Sequence, residues 1–99
     1  MRKAIEKTAG GWALLGFNGL PVREVSELCF VADLDHGLAV FPGTEQEASE
    51  AVARMCRRCE RAKDVLRVVR LGREIDEAEA NQMLVTSRLP RRVAMRLAK

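Results

Sequence analysis

Along the chain, apolar runs of strand length are separated by turn residues up to about residue 43, and beyond it the apolar spacing turns helical. Gly11–Phe17 (Gly-Trp-Ala-Leu-Leu-Gly-Phe) is too short and too glycine-bounded for a helix and predicts a largely buried strand. Asn18-Gly19 follows at once, and both residues tolerate the positive φ of a type I′ hairpin turn. The return strand is expected from Leu20 to about Glu27. Pro21 has no N–H to give to a ladder, which places that strand at a sheet edge. Residues 22–32 also admit a second reading, because Val22, Val25, Leu28, Cys29 and Ala32 fit helical spacing behind Pro21. The strand is preferred. Asp33–Gly37 reads as a turn, Leu38–Phe41 as an additional short strand, and Pro42-Gly43 as its end.

The clearest element comes next. Thr44 and Glu47 form a Thr-x-x-Glu capping box, in which each side chain satisfies the other's free backbone N–H. Ala48, Val52, Met55, Cys59 and Ala62 then recur on one face, supported by Ala51 and Cys56, and predict a helix over roughly 45–62. Val65–Leu71 reads as a strand and Gly72 ends it. Asp76 with Glu79 repeats the capping box for a short helix, with Ile75 and Ala80 placed as its hydrophobic staple. Val85–Leu89 interrupts that helix and Pro90 opens a last one. Its apolar face is Leu89, Val93 and Leu97, and its basic face is Arg88, Arg92, Arg96 and Lys99.

These elements give an α+β fold: a small antiparallel sheet, β-β-(β)-α-β, with one main helix packed on it and two short C-terminal helices. The 99 residues are expected to form one domain, with the sheet-and-helix core in 11–71 and the helical extension in 75–99. The start is charged and lacks the apolar run of a signal peptide, and no stretch reaches membrane-span length. Three cysteines, an odd number, argue against a disulfide framework and for a reducing, cytoplasmic setting. Net charge is only +3, but it is laid out in blocks. Glu24–Glu50 holds seven acids and no Lys or Arg, Arg54–Arg73 eight bases against Glu60 and Asp64, and Arg88–Lys99 five bases. Such a layout favours a two-sided surface over a uniformly basic one.

Candidate chemistry is sparse. Cys56-x-x-Cys59 with Cys29 and His36 has the donors of a Cys₃His zinc site, but the pair falls inside the main helix rather than on a tight turn, so core packing is the expectation. A redox pair would need the helix N-terminus to lower a thiol pKa, and Cys56 lies three turns in. Phe30–Gly37, with Asp33-x-Asp35, resembles the strand-plus-Asp-x-Asp start of haloacid-dehalogenase-type phosphatases over eight residues. The later Ser or Thr, Lys and carboxylates of that family do not follow, so Asp33 and Asp35 are read as turn acids. His36, the single histidine, is read as a turn residue beside them. Gly10-Gly11 and Gly16 match neither nucleotide-binding spacing. No cofactor or metal is expected, and a non-enzymatic role is.

Two basic surfaces remain for binding: Arg54, Arg57, Arg58 and Arg61 on the main helix, and Arg88, Arg91, Arg92 and Arg96 in the tail. Guanidinium forks suit bidentate contact with carboxylate or phosphate. The pattern Gly11-Trp-Ala-Leu-Leu, Ala39-Val-Phe41, the capped helix with Glu47-Ala48 and Val68-Val-Arg-Leu71 resembles small phage and prophage accessory proteins. This resemblance implies a compact cytoplasmic binder that inhibits a host protein complex stoichiometrically, as anti-CRISPR proteins do; the basic tail departs from the acidic nucleic-acid mimics among them. The alternative is a small nucleic-acid-binding regulator reading through the last two helices, which have a helix-turn-helix outline. The exposed return strand and the opposed charge blocks also leave room for a homodimer.

Overall fold

The computed structural model describes residues 3–98. Among the described residues, six strands and four helices run in the order β1 (Ile5–Thr8), β2 (Gly11–Leu15), β3 (Pro21–Val25), β4 (Cys29–Asp33), β5 (Leu38–Gly43), α1 (Glu45–Arg58), α2 (Ala62–Val65), β6 (Leu66–Arg70), α3 (Glu77–Thr86) and α4 (Arg91–Leu97). The mixed α+β class, the main helix on the sheet and the short C-terminal helices are as the sequence predicts. The strands form two antiparallel sheets instead of one, β1-β2-β3 and β5-β4-β6. Residues 22–32 are strand on both sides of a break. β3 stops at Val25, short of Glu27, and Ser26–Leu28 carries the chain into the second sheet.

The hairpin between β2 and β3 is not a two-residue type I′ turn. Gly19 N–H bonds back to Gly16 O at 3.0 Å and Gly16 N–H to Leu20 O at 2.9 Å. Gly19 is at φ 78 and Asn18 is not at positive φ, the geometry of a three-residue loop with a glycine bulge. The side-chain oxygen of Asn18 accepts from Leu20 N–H instead. As Pro21 implies, β3 is an edge strand.

The second sheet is the middle layer. Strand alternation sends Cys29 and Val31 to one face, where they meet Ala48 and Ala51 of α1, with Val52, Leu66 and Val68 around them. Phe30, Ala32 and Val69 go to the other face. There they join Ile5 and Val25 of the first sheet, Ala80 and Met83 of α3, and Leu89 and Val93 beside or on α4. This larger core therefore runs from β1 to α4.

Both predicted capping boxes are formed, Thr44 with Glu47 and Asp76 with Glu79. The linker before α4 is fixed to the sheet rather than loose. Leu89 N–H bonds to Gly37 O at 2.7 Å and Ala39 N–H to Ser87 O at 3.2 Å, which covers the outer edge of β5. α1 ends at Arg58, four residues before the predicted end, and the chain turns through Cys59 (φ −143) into the single turn of α2. Among the described residues, no helix is long and apolar enough to cross a membrane.

Candidate functional site

The early end of α1 reshapes the surface around it. Met55 and Cys59, predicted as core, are exposed; Cys56 is half-buried, and among the three cysteines only Cys29 is buried. The helix buries its N-terminal half through Ala48 and Ala51, while its C-terminal half overhangs the end of the β4–β6 pair. A groove of about 320 Å³ opens under that overhang. Its floor is Met55, Cys59, Ala62, Val65 and Leu66. One rim carries Arg58 and Arg61, and the other the Asp33–Gly37 turn with Asp33, Asp35 and His36. The cysteines and His36 do not assemble a zinc set: among the described residues no three His, Cys, Asp or Glu side chains converge.

The acidic rim is held by its own hydrogen bonds. Asp33 accepts from the backbone N–H of Asp35 (2.9 Å) and of His36 (3.1 Å), and its second oxygen lies 2.9 Å from His36 Nδ1. Partial burial opposes ionisation of Asp33, but the His36 side chain and the two backbone donors outweigh it and hold the carboxyl below its ordinary range. The same contact, with the charges of Asp33 and Asp35, raises the pKa of His36. Asp33 is thus the acceptor of an Asx-type turn, in keeping with its reading as a turn acid.

The arginines predicted to bind a partner divide into two groups. Arg61 is tied to Asp35 across the groove at 3.1 Å. Arg92 sits 2.7 Å from Glu79 and 3.7 Å from Asp76, and Arg96 lies 3.5 Å from Glu79, so the outer face of α4 is turned partly inward onto the capping box of α3. Arg88 is in the linker, bridged through its backbone to Leu38, and is not part of the basic face of α4. Arg91, at the start of α4, lies beside the exposed Met95. Lys99 lies outside the described residues.

Arg54, Arg57 and Arg58, by contrast, are exposed on α1, and no ion pair to an acid is formed by any of them among the described residues. Glu50, one turn before Arg54, accepts from Gln46 at 3.3 Å. The two basic surfaces are not brought together. One lies on the α1 side of the second sheet, and the other beyond its opposite face.

Other basic residues are spent on the fold. Arg23 reaches from β3 to Glu47 at 2.5 Å, clipping the first sheet to the start of α1. Arg70 bonds Glu45 and lies 3.5 Å from Glu27, which joins β6 to α1 and to the link between the sheets. Burial pushes the Cys29 thiol up, with Arg70 beside it pulling the other way.

The groove and the pairings were not foreseen from sequence. No local signal marked them: Met55 stands in the last turn of α1 and Cys59 just beyond its end, where no glycine or proline stops the apolar stripe. No family model, characterised protein or solved structure matches this chain.

Proposed function

We propose that the protein is a non-enzymatic binder that modulates a macromolecular partner, in the manner of a phage-encoded inhibitor acting stoichiometrically on a host protein complex. One observation carries this reading. Among the described residues, Arg54, Arg57 and Arg58 stand on one helix, α1, without an ion pair to an acid, whereas Arg23, Arg61, Arg70, Arg92 and Arg96 are paired. Three neighbouring guanidinium groups leave a local positive field that an acidic surface on a partner neutralises. The pairing of Arg92 and Arg96 moves the weight from the tail to α1, and it lowers the charge left for a nucleic-acid contact through α4.

The test is binding, not turnover. Arg57→Glu with Arg58→Glu is expected to weaken partner binding by at least about tenfold, roughly the loss of one charge-assisted hydrogen bond. The fold should remain intact, since both side chains are exposed. Undiminished binding and biological effect in that double variant would reject the α1 surface. A parallel titration with duplex DNA, single-stranded DNA and RNA separates the nucleic-acid reading, which requires tight binding at physiological salt and a steep salt dependence.

A further inference from the structure

The groove beside the arginine surface has a chemistry that narrows the partner, and the inference drawn from it rests on the binding role proposed above. Met55, Cys59, Ala62, Val65 and Leu66 line it with apolar atoms, and the other lining residues are Arg58, Arg61, Asp33, Asp35 and His36. About 320 Å³ is enough for one or two large apolar side chains, at the lower end of what binding pockets offer. The floor is also adaptable, because the Met55 thioether and the Cys59 thiol are among its lining groups.

The rims are unequal. Asp35 and Arg61 neutralise one another at 3.1 Å, and Asp33 is occupied by His36. Among the described residues Arg58 has no ion-pair partner, and neither do Arg54 and Arg57 further along the helix. Any occupant therefore meets an apolar floor with positive charge along its α1 side, where Arg58 is continued outside the groove by Arg54 and Arg57, and paired charges, Asp35–Arg61 and Asp33–His36, elsewhere. We infer that this groove receives a segment of a protein partner in which a large apolar side chain is flanked by aspartate or glutamate. The apolar side chain seats over Met55 and Cys59, and the neighbouring carboxylates reach Arg58 and then Arg57 or Arg54. A nucleic-acid backbone supplies the anions but no aliphatic anchor, and the floor has no aromatic ring on which a base would stack.

Cys59 makes the groove directly readable, since it is exposed on the floor while Cys29 is buried and reports unfolding. A displayed library of short random peptides is selected on the full-length protein. The selected peptides are then assayed for protection of Cys59 from N-ethylmaleimide, mapped by mass spectrometry. The expected selection is acidic sequences bearing Leu, Met, Phe or Trp. Bound, they should slow Cys59 modification by about tenfold while Cys29 stays unmodified, and Arg58→Glu should weaken them by about tenfold.

Failure to select any peptide, selection of sequences without acids, or binding that leaves Cys59 unprotected overturns the inference. So does protection given by duplex DNA alone, or by self-association of the protein at high concentration. Two variants separate this inference from the reading beneath it. Binding lost in Met55→Asp but kept in Arg54→Glu with Arg57→Glu upholds the groove and rejects the arginine surface. The reverse outcome upholds the surface and rejects the groove. If Met55→Asp does not fold, protection of Cys59 in the unaltered protein still decides.

Discussion

At the scale of single residues, Glu47 shows how much one side chain is asked to do at the start of α1. Its carboxylate accepts from the backbone N–H and the hydroxyl of Thr44, both at 3.0 Å, and from Arg23 at 2.5 Å. The Arg23 contact first, and the Thr44 backbone second, hold its pKa down to about 2 from an ordinary 4.5. A folded-state pKa below the unfolded one means that the contribution is present above 4.5 and drains away as pH falls towards 2. The stability difference between the protein and Glu47→Gln, read from urea midpoints across that interval, should therefore shrink steadily on acidification. A difference that stays constant would show that shape, and not charge, is what Glu47 supplies. Asn81 makes the complementary case in a buried setting. Its Oδ1 accepts from Ala4 N–H at 2.7 Å and Ile5 N–H at 3.0 Å, and its Nδ2 donates to Glu77 O at 3.3 Å. Asn81→Ala strands two buried donors, one just before β1 and one at its first residue, and should cost about 2–4 kcal/mol, with faster amide exchange at Ala4 and Ile5. Unchanged exchange at those two amides would contradict this account.

At the scale of elements, α4 depends on Glu79 as much as on its own sequence. Seven residues do not make a stable helix unaided, and Arg91–Leu97 is kept in place by buried Val93 beneath and by Glu79 holding Arg92 and Arg96. Glu79→Gln keeps the size of the side chain and removes its charge. It should cost about 1 kcal/mol, less as salt rises, because Arg92 is largely exposed. A loss that does not respond to salt would place the effect in the cap of α3 instead. What was legible in the sequence follows the reach of each signal. The starts of α1 and α3 were readable because a capping box is complete within four residues. β4 was not separable from its neighbours, since Cys29–Ala32 is buried on both faces and shows no alternation to set it apart from a helix. β1 contributes one buried side chain, Ile5, and leaves no period at all. The end of α1 was missed because Cys59 carries no glycine or proline signal, so the apolar stripe was extended too far and Met55 and Cys59 were counted as core. That one error hid the groove. The arginine face was visible as the polar side of α1. Which arginines are free was not visible, because Arg61 meets Asp35 and Arg92 meets Glu79 across turns of chain that local patterns do not reach.

At the scale of the whole molecule, the question is whether two sheets and four helices melt as one body. The small core under α1 contains Cys29, Val31, Ala48 and Ala51, of which two are alanines, and it offers little apolar area of its own. The larger core is continuous from Ile5 in β1 through Phe30 in β4 and Met83 in α3 to Val93 in α4. Both cores share the middle sheet, so α1 cannot lose its platform without the other side also failing. The first sheet is further tied to α1 through Arg23 and Glu47, and to α3 through Asn81. Trp12, half-buried in β2 against the larger core, is a local probe of the first sheet, whereas far-UV circular dichroism is dominated by the helices. The two signals should share a single denaturation midpoint. Val93→Ala, which removes two buried methyl groups at the far end of that core, should cost about 2 kcal/mol and move both midpoints together. If Trp12 kept its midpoint while the helical signal fell early, α3 and α4 would be a separately melting unit. In that case a truncation before Arg88 would leave a folded sheet-and-helix core. With one shared transition, the same truncation strips Leu89 and Val93 from the core and unfolds the protein, so the part played by the tail arginines in binding has to be measured by point substitution.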